Sequence, residues 1–173
     1  MVSFIVNLYS TKGLSAYGEN ISQVEHAAQT WWLAHKSQAD LELRVAAFIH
    51  DVGHLMADVD NIDFHEKIGA SWVDRTFQNQ LITDVTASHV LSKRYLATKY
   101  PDYLSKLSDE SKRTFVLQGA YLQEKEILAF ENNPFFEECI KLRFWDDEAK
   151  QTNANFWGEY KELIVKDLEA SLL

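Results

Sequence analysis

Five of the six histidines in this 173-residue chain, His26, His50, His54, His65 and His89, fall where helical turns can bring them toward one centre. His50 is followed directly by Asp51 at the end of the apolar run AAFIHDVGHL, and Asp146 stands far downstream in the acidic-aromatic run RFWDDEAK. An imidazole–carboxylate pair with scattered histidines and a distant aspartate is a ligand set for a borderline or hard transition metal. The expected arrangement is a dinuclear metal centre with its ligands projecting inward from a helical bundle. His35, beside Lys36 near a predicted helix end, fits no such pattern and is read as structural.

Residues three or four apart on a helix share a face. His54 follows His50 by four, Lys93 follows His89 by four, and Arg143 precedes Asp146 by three. Each of these candidate ligands therefore has a cationic or donor residue one turn away, which puts metals at the bottom of a pocket and anion-binding groups on its wall. Arg143 suits an oxyanion clamped by two parallel hydrogen bonds, and Lys93 supplies a point charge. Phosphate or phosphonate is the matching ligand. Taken singly, each residue has a plainer use. His26 serves as a half-buried, water-bonded histidine, His65 as a surface cap before Glu66, Asp146 and Asp147 as solvated helix-end carboxylates, Lys93 and Arg94 as a solvent-facing basic pair. The ordered set is what argues for a site. The aromatic runs Trp31–Trp32, Phe135–Phe136, Phe144–Trp145 and Phe156–Trp157 read as core packing.

The elements that must position these residues are helical. Two prolines and six glycines leave few breaks, and no alternating strand pattern, repeat or low-complexity linker is visible. A short opening helix spans Met1–Leu14, ending near Gly13. Asn20 or Ser22 caps a helix running to about Ser37, with Ile21, Val24, Ala27, Ala28, Trp31 and Trp32 inward. Asp40 caps Leu41–His50, whose last turns are apolar enough to be deeply buried. Past the polar stretch MADVDNID come Phe64–Phe77 and Leu81–Tyr100, the latter stopped by Pro101. Shorter helices follow at Pro101–Leu107, Asp109–Leu117 (capped by Ser108) and Gln123–Glu131. Pro134 suits the first turn of a helix through Asp147, and Phe156–Leu172 closes the set. The expected fold class is all-α, one bundle over residues 1–173.

Bulk properties narrow the function. With 46% hydrophobic and 13% aromatic residues the chain is globular. The single Cys139 allows no internal disulfide. Neither a leader-like segment nor an apolar run of membrane-spanning length is present, so the expected location is the cytoplasm, with no membrane partner. The formal net charge of −9, with no Lys/Arg stripe, argues against nucleic acid. It leaves room for a small anion, because buried basic groups beside metal cations dominate locally.

The ordered residues resemble the HD-domain superfamily: a first histidine (His26), the His50–Asp51 doublet and a late aspartate (Asp146). The added His65 and His89 match its dinuclear branch, and the chain is similar there to the PhnZ-type mixed-valent di-iron oxygenases. The likeness runs through AYGENISQVEHA, AAFIHDVGHL, FHEKIGASWV, SHVLSKRYL, LSDESKRTFVLQG and LRFWDDEAK. It implies an HD-domain helical bundle in which His26, His50, Asp51 and Asp146 hold one iron and His65, His89 and the bridging Asp51 the other. It further implies that Tyr17 occupies an iron position at rest and that Glu19, two residues on, moves with it and recognises a substrate ammonium. His54, Lys93 and Arg143 would hold the phosphonate, with Gln118 as a further pocket residue. The implied reaction is oxidative cleavage of the C–P bond of a small 1-hydroxyphosphonate by dioxygen, giving a carboxylic acid and inorganic phosphate; 2-amino-1-hydroxyethylphosphonate would yield glycine.

Two other readings use the same residues. The first is a metal-dependent HD phosphohydrolase acting on a small phosphate ester, with the metals generating a hydroxide nucleophile. Histidine and carboxylate ligands alone do not separate it from an oxygenase. The second is a non-catalytic module that only binds metal or a phosphorylated ligand; loss of a ligand would mark it, and no candidate position is missing.

Overall fold

Helical periodicity carries through the chain. The computed structural model describes residues 1–17, 20–56 and 64–173, and among these it holds eleven α-helices and no strand beyond an isolated bridge between Ala16 and Ser22. The all-α expectation is met.

α1 (Val2–Thr11) passes into a 3-10 turn, Lys12–Leu14, in which Gly13 is buried, so the predicted opening helix is two elements rather than one. Ser22, not Asn20, caps α2 (Gln23–Lys36): its hydroxyl accepts from the Glu25 N–H at 3.3 Å, while Asn20 sits in the left-handed region at φ 59°. α3 (Leu41–Ile49) is buried along nearly its whole length, from Leu43 through Ile49 apart from Arg44. It lies against α2, and against α6 (Gln80–Lys99), α10 (Phe136–Glu148) and α11 (Phe156–Ser171). Ala46 and Ala47, both fully buried, let these neighbours approach closely.

The helix does not continue through the His–Asp doublet. His50 ends α3, Asp51 lies in a turn, and a separate short helix, α4 (Val52–Met56), carries His54. The assumed four-residue helical pairing of His50 with His54 is therefore interrupted. α5 (His65–Phe77) returns across α4, and here two glycines meet. A Cβ on Gly53 would stand 1.9 Å from the His65 carbonyl oxygen, and one on Gly69 would stand 3.2 Å from the Gly53 nitrogen. At Gly53 only glycine permits this crossing, whereas at Gly69 the contact is tight by a few tenths of an ångström.

α7 (Pro101–Lys106) starts on its proline, α8 (Asp109–Leu117) is capped by Ser108, and α9 (Glu124–Glu131) opens with a reciprocal Gln123–Glu126 capping box. Pro134 falls outside α10, which begins at Phe136. The Phe136 N–H bonds to the Asn133 carbonyl, so the proline sits in the turn before the helix rather than in its first turn. Phe144 is half exposed, unlike Trp31, Phe135, Phe136, Trp145, Phe156 and Trp157, which pack on or within the core. His35 stacks on Trp31 with centroids 4.9 Å apart, a structural contact as expected.

One face of α2 latches the end of the chain. Both Glu25 oxygens accept from the first N–H groups of α11, at Phe156 and Trp157, each at 2.9 Å. Gln29 pairs with the Gln151 backbone in both directions at 2.9 Å. Asp167 on α11 accepts from Arg44 through both oxygens at 2.8 Å and from the Trp31 indole at 2.9 Å. These bonds fix α2, α3 and α11 around the buried histidines.

Candidate metal centre

His26 on α2, His50 at the end of α3, Asp51 in the following turn, His65 at the start of α5, His89 in α6 and Asp146 on α10 meet in the interior. All six are buried, at 0–7% exposure, which removes the surface readings of His65 and Asp146. They form two groups with ligand atoms within 4.8 Å of one another: His26, His50 and Asp146, and Asp51, His65 and His89.

Asp51 stands between them. Its Oδ2 lies 3.4 Å from His50 Nε2 and 3.7 Å from His26 Nε2. Its Oδ1 lies 3.2 Å from His89 Nε2 and 3.6 Å from His65 Nε2. Each oxygen thus faces a different histidine pair. Asp146 reaches His26 Nε2 at 3.2 Å through Oδ1 and His50 Nε2 at 3.7 Å through Oδ2.

Backbone carbonyls set the tautomers. Nδ1 of His26 bonds to the Ala149 carbonyl at 2.9 Å, that of His50 to Ala47 at 3.0 Å, and that of His89 to Thr86 at 2.7 Å. A carbonyl only accepts, so each Nδ1 carries the proton and Nε2 points into the chamber. The Nε2 atoms of His26 and His50 are buried without a hydrogen-bond partner, and those of His65 and His89 lie 2.9 Å apart. Burial opposes charge on His50, but Asp51 and Asp146 outweigh it and its pKa rises to about 9. Burial likewise opposes ionisation of Asp51 and Asp146, yet His50 beside the first and Arg143 beside the second hold both well below the usual carboxylate range. The chamber demands positive charge, and its nitrogen–oxygen donor set suits a divalent transition metal in each group.

Two buried cations lie beside Asp146. Lys93 and Arg143 are 5% and 4% exposed, so Lys93 is not half of a solvent-facing pair with Arg94. Arg143 Nη1 bonds Asp146 Oδ2 at 2.8 Å, and Lys93 donates to the Thr114 hydroxyl at 2.9 Å. Burial, with the Arg143 charge second, lowers the Lys93 pKa to about 8. Arg94 instead caps the carbonyls of Gly119 and Ala120, a structural task. His54 stacks on His65 with centroids 3.8 Å apart and planes at 16°, and burial lowers its pKa. Tyr17 stacks on His26 at 3.8 Å and its hydroxyl approaches Asp146 Oδ1 at 3.4 Å, placing it against the His26–His50–Asp146 group. Gln118 caps α8, its amide oxygen buried without a hydrogen-bond partner. Glu19 lies outside the described residues.

Asp147, read from the sequence as a solvated carboxylate, and Tyr103, Thr114 and Lys150 were not assigned to the site from the sequence. Asp147 joins Arg143 Nη2 to the Tyr103 hydroxyl, Thr114 receives Lys93, and Lys150 bonds Ser108 and Ser111 at 3.1 Å each. Only Asp147 carried a signal, standing four residues after Arg143 on one helix; the others depend on tertiary contacts.

An all-α bundle with a buried His–Asp doublet, a preceding histidine and a late aspartate is an HD-domain protein, here with two further histidines completing a second group. No family model matches the chain. It is 37% identical to the hydroxymethylphosphonate dioxygenase of Gimesia maris, over 86% of this chain and 78% of that protein. It is 32% identical to the [1-hydroxy-2-(trimethylamino)ethyl]phosphonate dioxygenase (glycine-betaine-forming) of Leisingera caerulea, over 88% and 82%. An uncharacterized protein of Acanthamoeba polyphaga mimivirus is 34% identical over 98% of this chain and 83% of its own length. The chain belongs to the hydroxyphosphonate dioxygenase family, the PhnZ-type oxygenases of the HD superfamily. No helix among the described residues is long and apolar enough to cross a membrane.

Proposed function

We propose that this protein is a di-iron oxygenase that cleaves the C–P bond of a small 1-hydroxyphosphonate. The observation that carries the reading is Asp51, whose two oxygens face two separate histidine pairs beside the buried cations Lys93 and Arg143. His26, His50, Asp146 and Asp51 would hold one iron, and His65, His89 and Asp51 the other. Bound iron would supply one-electron chemistry and a place for dioxygen to react.

The chain's own groups do the rest. Arg143, Lys93 and His54 offset the phosphonate charge and fix its orientation, which holds C1 and its hydroxyl against the metal chamber. Tyr17, stacked on His26, covers that side of the chamber until substrate arrives. Overall, a C–H and the C–P bond of R–CH(OH)–phosphonate are broken and dioxygen takes the four electrons. One oxygen atom ends on carbon, giving the carboxylic acid, and one on phosphorus, giving inorganic phosphate. The phosphohydrolase alternative is not favoured, since the relatives with a named activity are dioxygenases.

The test is phosphate release from hydroxymethylphosphonate and its 2-amino and 2-trimethylammonio ethyl analogues, with and without oxygen. Release that needs oxygen, together with a coupled ferrous–ferric paramagnetic signal shifted by substrate, supports the reading. Release that proceeds anaerobically overturns it in favour of hydrolysis.

A further inference from the structure

Arg143 is held from two sides. Its Nη1 bonds Asp146, and its Nη2 donates to Asp147 Oδ1, while the other oxygen of Asp147 accepts from the Tyr103 hydroxyl. Asp146 also lies against His26 and His50; Asp147 faces the other way, toward α7. The guanidinium is almost wholly buried, and its Nε–H is left without a partner. A buried donor with no acceptor is destabilising unless a ligand satisfies it.

We propose that Asp147 and Tyr103 are positioning residues for substrate: they lock the Arg143 fork so that its Nε edge, and not its Nη1 end, is offered to the phosphonate. A guanidinium has five N–H donors in a rigid plane, so fixing one carboxylate at Nη1 and another at Nη2 fixes the direction of the remaining edge. Asp147 does this without contacting the metal chamber, and Tyr103 keeps the Asp147 carboxylate from rotating. The pair makes a short helix, α7, part of the anion site, although none of its residues is a ligand candidate. Lys93, which feels the Arg143 charge, stands as the second cation of the same site.

This inference rests on the hydroxyphosphonate reading for its substrate, but its test does not. Inorganic phosphate is titrated calorimetrically into metal-loaded wild type, Tyr103→Phe, Asp147→Asn and Asp147→Ala, with metal content and helicity measured alongside. KM and kcat are taken on hydroxymethylphosphonate. Tyr103→Phe is expected to weaken phosphate binding and raise KM roughly three- to tenfold, the effect of one hydrogen bond. Metal content and kcat stay near wild type. Asp147→Asn, which keeps an acceptor for Arg143, is expected to retain more affinity than Asp147→Ala. Unchanged phosphate affinity and KM in Tyr103→Phe and Asp147→Ala overturn the proposal. So does loss of metal and kcat at constant KM, which would mean that the pair acts through Asp146. If wild type turns over no hydroxyphosphonate, the reading of function falls, while the phosphate titrations still decide the role of the pair.

Discussion

Replacing Gly53 by alanine should empty one half of the metal centre while leaving the bundle folded. The added Cβ would stand 1.9 Å from the His65 carbonyl oxygen, and ordinary contact begins at 3.4 Å, so the start of α5 must retreat by 1.5 Å. His65 is the first residue of that helix and moves with it. A metal–nitrogen bond of about 2.0–2.1 Å tolerates displacement of only about 0.2 Å. The shift therefore exceeds what His65 can absorb as a ligand, while His26, His50 and Asp146 lie on other elements and stay put. Overpacking of this kind costs about 1–3 kcal/mol, within what the core of α2, α3, α6, α10 and α11 can sustain. The assay is metal stoichiometry by elemental analysis, with thermal melting and oxygen-dependent phosphate release. Gly53→Ala should fold, melt several degrees lower, bind one metal in place of two and lose turnover. Gly69→Ala is the control. Its Cβ would meet Gly53 nitrogen at 3.2 Å, a few tenths of an ångström too close, and helix propensity returns up to about 1 kcal/mol. It should keep both metals. A Gly53→Ala protein with two metals and wild-type turnover would refute the claim that this crossing sets the position of His65.

Four further outcomes follow from other parts of the structure. Asp51→Ala should abolish turnover and most metal loading, because each histidine pair loses its shared carboxylate; retained metal and activity would remove Asp51 as the bridge. Phosphate affinity should fall as pH rises through about 8, where Lys93 loses its proton, and the inflection should vanish in Lys93→Met. The same depressed pKa means the folded chain binds fewer protons than the unfolded one between about 8 and the ordinary lysine value, so the cost of burying the Lys93 charge is relieved as pH climbs through that window. Glu25→Ala, which leaves two N–H groups of α11 without their carboxylate, should cost about 1–2 kcal/mol in chemical denaturation, and no change in midpoint would show that the cap is idle.

Much of the bundle could be read directly from local chemistry. Ser22 and Ser108 as caps, Pro101 as a stop and the apolar face of α2 each act within a few residues, so their signals survive without tertiary information. The candidate ligands were legible as a set because so few histidines are spent elsewhere. What was not legible depends on contacts between distant segments. The break at His50–Asp51 falls where Asp51 faces both histidine pairs, a placement set by contacts with α2, α5 and α6 rather than by the local apolar run. Pro134 matched a helix start by type, but the turn at Asn133 claimed it. Glu25 and Gln29 look like ordinary solvent-facing helix residues until the chain end arrives to accept them. Tyr103 and Thr114 have no pattern at all; only the fold brings them to Arg143, through Asp147, and to Lys93.

The grip of α2 on residues 149–157 has a practical bearing. The same helix that carries His26 also anchors Ala149, Gln151 and the start of α11, so damage at the far end of the polypeptide is transmitted inward rather than absorbed. Trimming the chain back to residue 155 would strip Glu25 of its clients and loosen the carbonyl that orients His26. A shortened version made to ease crystallisation or display would be expected to show impaired metal uptake.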